Sequence, residues 1–235
     1  INPSTGELIE SFADRGKVNL KDNLGRNVDN NPYTLSTPGI IYNDLYIVGG
    51  CVSEEAGHIP GHIRAYDVRT GEMKWIFHTI PHPGEFGYDT WPEDAYLKSG
   101  GANSWSGFSL DEERGIVYAP TGSASFDFYG GDRLGSNLFA NCIIALDANT
   151  GKRIWHYQTV HHDLWDRDLP CPPSLLTIEK DGEQIDVVAQ TTKSGLLFVL
   201  DRVTGEPIYP IEERPIRKSK LDGEEAWPTQ PFPTV

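Results

Sequence analysis

Long apolar runs are the first thing this sequence lacks. No stretch approaches the roughly 20 apolar residues that cross a bilayer as a helix. The longest candidates, Ile40-Ile41 with Leu45 to Val48, and Gly195 to Leu200, are strand-sized. Cysteine is scarce as well. Cys51, Cys142 and Cys171 form an odd set without CxxC spacing, which argues against zinc and thioredoxin-like chemistry and leaves each as a small buried residue. Basic side chains are the third shortage: Lys and Arg number 20 against 34 Asp and Glu, a formal net charge of −14. Phosphate backbones repel such a surface, so nucleic acid is excluded as a partner. The charge suits neutral or cationic ligands or a divalent metal, and equally suits plain solubility. Helical periodicity is almost absent. No signal peptide is recognisable, and the chain opens on Ile1 inside a motif, so it reads as a mature or excised fragment.

What is present is repetition. The segment Ile63 to Trp75, with Asp67, Thr70 and Gly71, has a near copy at Ile143 to Trp155, with Asp147, Thr150 and Gly151. A weaker copy runs from Leu197 to Tyr209 through Asp201, Thr204 and Gly205, and Asn2 to Leu8 is the tail of a fourth. Each copy reads as an alternating strand, an Asp-x-x-Thr-Gly turn and a second strand carrying Trp or Tyr. Gly supplies the positive φ, and the Asp and Thr side chains tie the turn. Trp75, Trp155 and Tyr209 are then packing anchors between neighbouring sheets. Further strands are expected at Gly39 to Gly50, Trp105 to Leu110, Gly115 to Thr121 and Asp186 to Thr192. The pattern predicts an all-β fold, a β-propeller of four-stranded antiparallel blades. Residues 1–235 are expected to form about four blades, about half of an eight-bladed ring, with missing blades or a second copy covering the open edges.

One loop stands apart. Tyr157 to Pro170 packs His161, His162, Trp165 and three Asp into a short stretch. Adjacent histidines point opposite ways on an extended chain, so they make a poor ligand pair. Asp163, Asp166 and Asp168 are better suited to oxygen ligation of a hard cation such as calcium, and one of them to work as a general base. His58, His62, His78 and His82 lie in long loops that wall a substrate pocket or simply pack.

The segment Tyr157 to Pro170, followed by Pro172-Pro173-Ser174-Leu175, resembles the active-site segment of the pyrroloquinoline quinone (PQQ)-dependent dehydrogenases, nearest their membrane glucose dehydrogenase branch. Gly101 to Trp105, Asp111 to Gly122, Thr192 to Gly195, Leu200 to Arg202 and Pro228 to Phe232 extend the likeness across the chain in order. The resemblance implies oxidation of a sugar or alcohol hydroxyl by hydride transfer to PQQ, with calcium as Lewis acid and glucose as the first substrate to try. It implies Asp166 as general base, Lys193 as the cation beside the quinone oxygens and Trp105 as the aromatic floor, with Asn103 and Thr37 facing the cofactor. For calcium it implies Glu54, with Glu55 as the fallback, together with Asp166. Ser123 stands where the methanol-oxidising branch has an Asn ligand. It further implies ubiquinone or a cytochrome c as electron acceptor and a periplasmic location. With cofactor contacts from other blades absent, weak or no PQQ binding is expected of this chain alone. The competing readings are a non-catalytic propeller scaffold and an inert fragment. A WD40-like platform is excluded because the Trp-Asp pair occurs once, at Trp165-Asp166.

Overall fold

The computed structural model describes residues 1–26, 28, 31–55 and 59–234. Two four-stranded antiparallel sheets form the centre of the chain. The first holds Ile40–Tyr42, Leu45–Val48, Ile63–Asp67 and Met73–Phe77. The second holds Ser109–Asp111, Ile116–Pro120, Cys142–Asp147 and Arg153–Gln158. A third sheet has three strands, Ser174–Lys180, Glu183–Thr191 and Leu197–Asp201, with a single bridge from Leu200 to Pro207 in place of a fourth. A hairpin of Ile211–Pro215 and Thr229–Pro233 follows. These are successive blades of a propeller. The run from Gly39 to Gly50, expected as one strand, is a hairpin that folds back at Asn43, whose φ is 52°. The fourth repeat copy keeps its turn, with Gly6 N–H on the Asn2 carbonyl, but none of its residues lies in a described strand.

Strand alternation explains how the blades stack. Val117, Ala119, Ile144 and Leu146 of the second blade pack on Ile47, Ile63, Ala65 and Trp75 of the first. The residues between them, Ile116, Tyr118, Ile143 and Ala145, pack on Val188, Phe198 and Leu200 of the third. A period of two thus buries both faces of one sheet. Trp75 and Trp155 are the anchors expected of them. Trp75 donates Nε1–H to Ala148 O and Trp155 to Arg202 O, both at 3.2 Å. Each ring lies over the turn glycine of the next blade: a Cβ on Gly151 would stand 2.4 Å from Trp75, and one on Gly205 2.6 Å from Trp155. Burying an indole removes roughly 150–250 Å² from water, an upper bound of about 4–6 kcal/mol each. Tyr209, the third anchor, lies instead beside the Lys180 ammonium, 5.3 Å from its ring centre.

Register fixes where function sits. In the second blade Ile116 pairs with Asp147 and Pro120 with Ile143, so the loop 121–141 leaves the sheet at the end opposite the Asp147 turn. The same reasoning puts the loop residues 49–55 and 59–62 and the loops 102–108, 159–173 and 192–196 at that end. Among the described residues no helix is long and apolar enough to cross a membrane.

Candidate active site

These loops enclose a cleft of about 230 Å³ lined by Cys51 to Glu54, Gly101, Asn103, Trp105, Ser123, Ser125, Asp127, Asp168 and Lys193. Asp168 is its hub. Its Oδ1 accepts the Ser123 N–H at 2.6 Å, and its Oδ2 accepts Trp105 Nε1–H at 3.1 Å and Lys193 Nζ at 3.0 Å. The loop approaches so closely that a Cβ on Gly122 would fall 2.4 Å from Asp168 Oδ1. Lys193 also holds both oxygens of Asp166, at 2.9 and 3.0 Å. Asp166 itself adopts a left-handed backbone, φ 53°, a conformation Asp tolerates better than most residues and one that gathers at functional sites. Burial lifts the Asp166 carboxyl above its ordinary range. Lys193 pulls it down, and the charge of Asp168 pushes it up again. Desolvation works against the Lys193 ammonium, but its two carboxylate partners outweigh it and hold it above the usual lysine range.

The structure therefore brings together Asp166, Lys193, Trp105, Asn103, Ser123 and Glu54, with Asp166 joined to the cleft through Lys193 and the rest lining it. Glu54, not Glu55, is the glutamate that lines it. Asn103 is oriented by its Nδ2–H on Gly50 O at 2.9 Å. Thr37 is not among the lining residues. Its hydroxyl donates to Trp105 O at 3.0 Å, so it supports the indole's backbone. Asp163 is withdrawn from ligation: its carboxylate accepts the N–H of Trp165 and Arg167, Asn141 Nδ2–H and the Ser123 hydroxyl, which builds the loop. Ser123 lines the cleft with its hydroxyl proton already given to Asp163.

His62, His78 and His82 form a ring cluster whose nitrogens converge within 4.8 Å, away from the cleft lining; His58 lies outside the described residues. Thr79 N–H donates to His62 Nδ1 at 3.2 Å, so a neutral His62 carries its proton on Nε2, a buried nitrogen without a hydrogen-bond partner among the described residues. The three rings contact one another, His78 and His82 stacked and His62 edge-on to both. His161 and His162 do part company as expected, the first bonded to Gln158 and the second buried against Asn137.

Sequence reasoning missed Asp127. Its loop, Ser125 to Gly131, carries no recognisable spacing, and an acid between two phenylalanines gives only a faint signal. It is 4% exposed. Burial pushes its carboxyl up to about 8, the charges of Asp168, Glu54 and Asp166 add to the rise, and Arg133 opposes it.

The blades and their loop-end polar cleft define part of a β-propeller. Over residues 1–235 the chain matches the family described as PQQ: Glucose/ethanol/alcohol dehydrogenase, beta-propeller domain, and it belongs to that family. It is 38% identical to the quinoprotein glucose dehydrogenase of Escherichia coli (strain K12), across 99% of this chain and 29% of that protein. It is 39% identical to the quinate/shikimate dehydrogenase (quinone) of Acinetobacter baylyi, across 98% of this chain and 29% of that protein. The chain thus spans under a third of the length of these relatives. Among solved structures, the quinohemoprotein alcohol dehydrogenase of Comamonas testosteroni superposes with a TM-score of 0.66 at 29% identity, over 83% of this chain and 30% of that one.

Proposed function

We propose that the protein of which this chain forms part oxidises the hydroxyl of a sugar or alcohol in a PQQ-dependent reaction, with the chemistry housed in the cleft between Asp166, Lys193 and Trp105. The observation that carries the reading is the Asp166–Lys193–Asp168 arrangement, two carboxylates sharing one ammonium beside an indole. Bound PQQ would supply the hydride-accepting carbon and a calcium ion the Lewis acidity. The donor set fits such a group: Glu54, Ser123 and Asn103 offer oxygen to a hard cation, and Trp105 offers a face to a planar ring.

The chain's own residues then divide the work. Asp166 receives the substrate hydroxyl proton, a role suited to a carboxyl that burial lifts above its ordinary range. Lys193 supplies positive charge where negative charge develops on the acceptor and holds Asp166 in place. Asp168 anchors Lys193 and the indole N–H together. Glucose is the first substrate to test, with other aldoses, polyols and cyclic hydroxy acids next. Ubiquinone or a cytochrome c as acceptor, and the periplasm as location, belong to the same proposal.

The test is sugar- or alcohol-dependent dye reduction by the full-length protein loaded with PQQ and calcium. Asp166→Asn is expected to lower turnover by about 10²–10⁴ while PQQ still binds. A variant that turns over normally removes Asp166 as the base. A wild type that reduces no dye with any hydroxyl substrate returns the chain to the scaffold reading.

A further inference from the structure

We infer that Asp127 is an anionic ligand of the cation held in this cleft, acting together with Glu54. The inference rests on the reading of the cleft as a cation and cofactor site. Three carboxylates, those of Asp168, Glu54 and Asp166, act on that of Asp127. Two of the four have a protein partner: Asp166 and Asp168 share Lys193, and Asp168 also takes the Trp105 and Ser123 N–H groups. The other two do not. Among the described residues no hydrogen-bond donor reaches the carboxylate of Glu54 or of Asp127. Glu54 is exposed and free to bond water, whereas Asp127 is only 4% exposed and meets water only through the cleft it lines. Arg133 is the cation that acts on it, yet Nη1 of that guanidinium is given to Asn137 Oδ1 and Nη2 to the Phe126 and Asp163 carbonyls.

The backbone is arranged to keep these two carboxylates together. Ser125 Oγ donates to Ser53 O at 3.0 Å, which ties the Asp127 loop to the Glu54 loop. Ala124–Ser125 also pairs with Gly100–Gly101, next to Asn103. Two unpartnered carboxylates, the Asn103 amide oxygen and the Ser123 hydroxyl form an all-oxygen set, which selects a hard cation of the calcium class over zinc or copper.

The test uses the full-length protein free of metal, PQQ and substrate, titrated with terbium, whose emission Trp105 sensitises, and then with calcium in competition. Wild type is expected to bind terbium and to gain melting temperature with calcium. Asp127→Asn is expected to bind terbium at least tenfold more weakly and to lose the calcium-induced gain, while its metal-free melting temperature stays level or rises. Asp127→Ser gives the same answer should the amide fail to fold. Unchanged terbium affinity in either Asp127 variant, with weakened affinity in Glu54→Gln, overturns the role of Asp127 and leaves the cation site standing. No terbium binding by wild type overturns both.

Discussion

Asp67, Asp147 and Asp201 at one end of the blades, and Asp127, Asp166 and Asp168 at the other, are one side chain in two settings. At the turn end each Asp accepts the N–H groups two and three residues on, at 2.8–3.1 Å, in near-identical geometry. Those bonds from Thr70 and Arg69 hold the Asp67 carboxyl below its ordinary range. At the loop end no two Asp have the same partners, and burial lifts Asp127 and Asp166 instead. Local hydrogen bonding repeats because it builds the scaffold. The cleft does not repeat because its acids sit in different settings: Asp166 and Asp168 share Lys193, Asp168 also takes the Trp105 and Ser123 N–H groups, and Asp127 takes no donor among the described residues. The repeated scaffold bonds and the cleft proposed for chemistry therefore sit at opposite ends of the same sheets, and substitutions should separate them.

The largest expected effect is at the loop end. Lys193→Met leaves Asp166 and Asp168 without their shared cation, so turnover of the loaded full-length protein is expected to drop about 10²-fold. The acid limb of its pH–rate profile should move to higher pH, because the pull that lowers the Asp166 carboxyl is gone. At the turn end, Gly151→Ala forces a Cβ onto the Trp75 ring at φ 69°. A loss of about 2–4 kcal/mol in urea unfolding is expected, with turnover per folded molecule unchanged.

A smaller effect is set by pH. Asp127 has a folded pKa of about 8, above that of the unfolded chain. From the ordinary carboxylate range of about 4 up to that value, the unfolded chain has released a proton that the folded chain keeps, so rising pH removes stability. Metal-free wild type should therefore lose melting temperature relative to Asp127→Asn across that window, at about 2–4 °C per kcal/mol, and bound calcium should close the gap. The smallest effect is Asp147→Ala, which deprives the Asn149 and Thr150 N–H groups and the Thr150 hydroxyl of an acceptor on an exposed turn. It should cost about 1 kcal/mol in the same unfolding measurement and nothing in turnover.

The division also explains what was legible in the sequence. The turns are local, so Asp, Thr and Gly at fixed spacing disclosed the repeat, and with it the strands and the anchoring role of Trp75 and Trp155. Which glycine each Trp covers depends on contact between blades, which no spacing encodes. Asp166, Lys193 and Trp105 were legible because their short motifs resemble those of a known family. Asp163 looked equal to its neighbours because residue type counts acids and not donors; only the fold shows it saturated by its own loop. Asp127 was hidden for the converse reason, since its significance lies in the partners it lacks. The strand break at Asn43 turned on one left-handed residue inside an otherwise apolar run.

Whether the loop-end cleft takes the quinone decides between a dehydrogenase and a scaffold. PQQ titrated into the metal-free full-length protein with calcium added, followed by indole fluorescence, is the direct measurement. Saturable quenching that depends on calcium, is diminished in Trp105→Phe and is preserved in Asp166→Asn is the expected result. A protein that shows no saturable binding with any divalent cation would contradict it and leave the propeller as a scaffold.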